Sequence, residues 1–94
     1  ASKAVIASFI VENIISKTGV IVSDGSNTAT TFKTDLSEST TDYHKDALIL
    51  FTSGDLINQV KKVSAYNGST KFITVASDFT GTPANGDSFI LVVY

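Results

Sequence analysis

One histidine stands in the chain, at Asp42-Tyr43-His44-Lys45-Asp46, where flanking carboxylates could orient an imidazole as a general base. Such a base needs a nucleophile and an oxyanion donor in fixed geometry, and neither a second His nor a glycine-rich nucleophile turn accompanies it. A solvated loop histidine is therefore the expected state. A small hydrolase would have to assemble a cleft from Asp35, Glu38, His44 and Asp55, and a glycosidase would want aromatic platforms that a chain without Trp supplies poorly. Asp35, Glu38 and Asp42 could offer oxygens to Ca²⁺, but their spacing lacks the alternating acids and closing Glu of an EF-hand loop. With no Cys and one His, no thiolate or multi-His metal site can form within the chain, so no metal and no cofactor is expected. Ser53-Gly54-Asp55 and Asn85-Gly86-Asp87 lack the full phosphate-loop spacing and read as turns. Asn67-Gly68-Ser69 fits the glycosylation acceptor pattern but is explained by a hairpin turn.

The elements that position these residues are short strands. Ninety-four residues make one domain, with 43% hydrophobic and 17% charged residues. All seven basic residues are Lys and the net charge is -2, so nothing grips a phosphate bidentately and nucleic acid is not an expected partner. Lys61 and Lys62 beside Tyr66 and Phe72 read as snorkelling lysines next to core aromatics. No apolar run is long enough for a membrane span. The start Ala1-Ser2-Lys3, in a chain with no Met, suits removal of an initiator methionine ahead of a small residue and equally a chain trimmed from a longer one.

Turn signals at 23–27, 52–55, 67–69, 81–83 and 85–87 separate runs rich in Val, Ile, Thr, Phe and Tyr. They predict strands over 19–22, 28–33, 47–51, 59–66, 71–75 and 88–94, hence an all-β fold: a compact antiparallel sandwich or barrel of six to eight short strands. For the hairpin around Asn67-Gly68, a two-residue loop would pair Val63 with Phe72. A three-residue loop would pair Val63 with Ile73 and put Ala65, Ile73 and Val75 on one face, which the alternation favours. Two runs, 47–51 and 89–93, are apolar without alternation, as in strands covered on both faces, by the same domain or by a neighbouring subunit. The polar stretch 34–46 is expected to be a surface loop. Residues 1–18 are expected to form an arm or edge segment, with 19–94 as the β domain. In that arm Val5, Ile6, Phe9, Ile10, Val11 and Ile14 are the expected partner or oligomer contacts.

Four blocks in order, Thr30 to Leu36, Asp42 to Leu56, Gln59 to Gly68 and Pro83 to Leu91, resemble a small β module of tailed-bacteriophage virion proteins of the head-decoration, head-fibre and tail-fibre kind. None of the blocks encodes a reaction. The resemblance implies a non-enzymatic structural protein on the virion surface, made in the host cytoplasm. It would stabilise the capsid or form a head fibre through contacts with the major capsid protein or other virion proteins, self-associating as a homo-oligomer, with a trimer favoured. The alternative is a tail-fibre or receptor-binding module that recognises a host surface glycan through exposed Tyr43, Tyr66 or Tyr94, where an aromatic ring beside polar groups would face the sugar.

Overall fold

The structure, a computed structural model, describes residues 15–93. Six strands form one sheet: β1 (Ile15–Val20), β2 (Thr31–Lys33), β3 (Leu48–Phe51), β4 (Val60–Tyr66), β5 (Phe72–Val75) and β6 (Ser88–Val92), in the order β1-β6-β3-β4-β5-β2. Every neighbouring pair is antiparallel. The all-β class holds, and no helix occurs among the described residues. Of the sandwich and the barrel expected, the single curled sheet, whose ends meet at the bridge Ile21↔Thr34, corresponds to the barrel-like one.

The curl originates in β4. Its first residues pair with β3 (Leu50↔Val60 to Leu48↔Lys62), and its last with β5 (Val63↔Val75, Ala65↔Thr74, Tyr66↔Ile73), with a register shift between Val63 and Ala65. A bulge bends its strand and sharpens the twist, so one continuous strand turns the sheet over onto itself. It also changes which side chains point inward: Val63 and Tyr66, three residues apart, are both buried. The two ends of the sheet approach each other through the bridge Ile21↔Thr34, with Val22 N–H donating to the Lys33 carbonyl and Asp35 N–H to that of Val20.

Inside the curl lie Phe32, Phe51, Phe79 and Phe89, whose rings meet edge-on or tilted at centroid distances of 5.0 to 6.1 Å. Edge-to-face packing suits the positive rim and negative face of these rings. Phe79 comes from the segment after β5 and is held by its N–H on the Ala29 carbonyl. Ile49, Leu91, Ile73 and Val63 pack around them, and Ile21, Leu36, Leu56, Tyr66 and Val75 complete this main core.

Alternation sends Leu48, Leu50, Ile90 and Val92 to the opposite face, where Leu50, Ile90 and Val92 form a second buried cluster. Of the two explanations for the unbroken apolar runs, burial within a single chain is the one observed, since these three are 1%, 5% and 0% exposed.

Two expectations need correction. β1 starts at Ile15 rather than 19, so residues 15–18, expected as part of an arm or edge segment, open an edge strand of the sheet; the polar Ser16-Lys17 pair hid the strand's beginning. The hairpin has neither a two- nor a three-residue loop. Asn67 N–H donates to the Phe72 carbonyl, leaving Gly68 to Lys71 as a four-residue turn in which the Asn67 side chain accepts from the N–H groups of Ser69 and Thr70. Lys71, at φ 66°, closes it in the left-handed region. Gly68 serves close approach instead of positive φ, because a Cβ there would collide with the Ser39 carbonyl oxygen. The stretch 34–46 is a surface loop as expected, most of its residues being exposed, although Thr34, Leu36 and His44 are buried.

Candidate functional site

Between β2 and β3 the chain crosses the open end of the sheet and is pinned there along its length. Leu36 is buried in the main core. Tyr66 Oη donates to the Glu38 carbonyl at 2.6 Å, and Lys71 Nζ donates to the same oxygen at 2.9 Å and to the Gly68 carbonyl at 2.6 Å. Asp42 and Tyr66 exchange two bonds, Asp42 N–H to the Tyr66 carbonyl and Tyr66 N–H to Asp42 Oδ1. Asp42 and Asp46 sit at φ 63° and 73°, a region that Asp tolerates better than most residues, and so reverse the chain around His44.

These constraints bury His44, which is 6% exposed, with its ring edge-on to Tyr66 (4.9 Å) and Tyr43 (5.0 Å). The solvated histidine expected from the sequence is instead part of the fold. Its Nε2–H donates to Glu38 Oε1 at 2.9 Å, and Glu38 Oε2 meets Lys17 Nζ of β1 at 3.2 Å. The carboxyl of Glu38 is held down from 4.5 to about 2, chiefly by the bond from His44, with Lys17 assisting and burial opposing. Tyr66 is pushed up by burial and by the nearby Glu38 charge.

A cleft of about 400 Å³ opens beside this chain of contacts, lined by Lys17, Glu38, Tyr43, His44 and Lys45 among others. A histidine oriented by a carboxylate is the start of a catalytic relay, yet among the described residues the cleft lining holds no Ser, Thr or Cys for it to activate. Of the four residues a hydrolase would need, Glu38 and His44 are brought together. Asp35 spends its carboxylate on the Val20 N–H at 2.9 Å, and Asp55 lies exposed in the turn after β3, outside the cleft lining. Among the described residues no group of three His, Cys, Asp or Glu could hold a metal ion.

Tyr43 is 61% exposed at the cleft, whereas Tyr66 is 1% exposed. Tyr66 therefore presents no platform to a ligand; the β4 bulge turns it inward, and alternation counted without the bulge misplaces it. Val5, Ile6, Phe9, Ile10, Val11, Ile14 and Tyr94 lie outside the described residues. Sequence reasoning missed the Lys17–Glu38 pair and the role of Lys71 as a clamp on the carbonyls of Ser37, Glu38 and Gly68. The contacts to Glu38 have no local signal, because the partners are 21 and 33 residues apart. Compared with protein-family models, curated proteins and solved structures, the chain matches none.

Proposed function

We infer that the chain is a structural protein of the outer surface of a tailed-phage particle, acting by attachment and not by catalysis. The observation that carries the reading is where the resembling blocks fall. Thr30 to Leu36 covers β2, Asp42 to Leu56 covers the His44 turn and β3, Gln59 to Gly68 covers β4, and Pro83 to Leu91 covers most of β6. The resemblance thus tracks the scaffold and the loop that braces it. The braced loop supports the same reading, since its His44–Glu38–Lys17 chain of contacts is satisfied internally. Because the second apolar face is buried within one chain, attachment can be templated by the capsid lattice without a preformed trimer. The test is to strip the protein from purified particles and add it back: restored resistance of the shell to heat supports the reading, and particles indifferent to its presence overturn it.

A second reading is favoured by Tyr43 alone. An exposed aromatic ring beside Lys45, Glu38 and Lys17 in an open cleft suits a sugar ring, with polar groups on its hydroxyls. Binding of the isolated protein to host-surface glycans, lost in Tyr43→Ala, would favour it over decoration.

A further inference from the structure

The outer face of β3 and β6 presents two cross-strand pairs, Leu48↔Val92 and Leu50↔Ile90. Among the described residues, the partly buried apolar side chain packed against Leu50, Ile90 and Val92 is that of Leu48. Four side chains on one face of two strands cannot exclude water from that face by themselves, because a pleated sheet leaves its outward side chains standing into whatever lies above. Yet Leu50, Ile90 and Val92 are nearly free of solvent in a single chain. A further apolar layer is required.

We propose that this layer is the chain's own N-terminal segment, Ala4 to Ile14. Eight of its eleven residues are apolar, the polar ones being Ser8, Glu12 and Asn13. The described chain starts at Ile15, which stands opposite Val92 in the β1–β6 register, so the segment begins at the border of the face it covers. Its reach is ample: at about 3.3 Å per residue, three or four residues span the distance from Val92 past Ile90, and the rest can make the reversal. The inference goes beyond the virion reading and does not depend on it. It assigns Val5, Ile6, Phe9, Ile10 and Val11 to a contact within the chain. A chain without the segment would expose an apolar face and self-associate.

The chain has no Trp, so Leu48→Trp places a single reporter at the edge of the face. In the full chain its emission should be blue-shifted, poorly quenched by acrylamide and unchanged on dilution. In the same variant lacking residues 1–12 the emission should move to the red or the mass should at least double, and quenching of the monomer should rise several-fold. Should the shortened chain fail to fold, Phe9→Asp with Ile10→Asp in the full chain must give the same red shift. Emission and mass unaffected by either change would overturn the proposal. So would a full chain whose emission shifts red as it is diluted, because the cover would then come from a second copy.

Discussion

Replacing Glu38 by Gln keeps the shape of the side chain and an oxygen that can accept from His44, but removes the charge that Lys17 meets. The carboxyl lies at about 2 instead of 4.5 in the folded chain. At about 1.36 kcal/mol for each factor of ten, this corresponds to roughly 3 kcal/mol of folding free energy. Glu38 is 18% and Lys17 36% exposed at the side chain, so solvent screening reduces the expectation to about 2 kcal/mol. The sign follows from proton uptake: the unfolded chain takes up this proton first as pH falls, so the contribution is complete above about 4.5 and disappears as pH drops through about 2. Urea unfolding at a series of pH values reads it directly. At pH 7 the Glu38→Gln variant should unfold at a midpoint about 1 to 2 M lower than the parent, with an unchanged slope. By pH 2 to 2.5 the two should have drawn most of the way together. Other carboxylates titrate in both proteins and cancel in the difference. A gap that stays constant between pH 7 and pH 2, or one under about 0.5 kcal/mol throughout, would refute the assignment of Glu38 as the electrostatic brace of the loop.

Tyr66→Phe removes the donor to the Glu38 carbonyl while leaving the ring in the core, and should cost about 1 to 2 kcal/mol in denaturant unfolding. Gly68→Ala should cost about 2 kcal/mol or more, because its Cβ would collide with backbone at Ser39 and neither side of the contact is a flexible side chain. Phe51→Ala, which removes a ring packed against three others, should cost about 3 to 5 kcal/mol and lower the thermal midpoint accordingly. Tyr43→Ala should leave unfolding within about 0.5 kcal/mol of the parent, as expected for a largely exposed ring, so any loss of ligand binding in that variant would report recognition alone.

The strands were legible because their signals are local. Ala47 to Phe51 and Phe89 to Val93 carry unbroken apolar runs, and Gly or Asn turns bound most of the others. Strand ends moved by a residue or several where polar side chains sit inside a strand, as at Ser16-Lys17, or where a predicted start such as Thr28 to Thr30 spends its backbone on a turn. The β4 bulge was not legible: nothing in Val63-Ser64-Ala65-Tyr66 announces an extra residue, and that one residue decides whether Tyr66 faces solvent or core. The candidate site was half legible. His44 and Glu38 stand six residues apart in one polar stretch and were both singled out, but their burial depends on Tyr66, Lys71 and Lys17, which arrive from β4, the hairpin turn and β1. A polar run reads as solvated because composition records what a segment offers, and not which distant donors come to satisfy its carbonyls.

The claim at the centre of this account is that the protein works as part of a particle surface. Counting copies of the chain in purified particles by quantitative mass spectrometry, before and after brief surface proteolysis, tests it most directly. The account predicts a copy number on the order of hundreds, set by capsid symmetry, with the chain accessible to the protease. Purified particles free of the chain, in a host lysate where it is abundant, would contradict it.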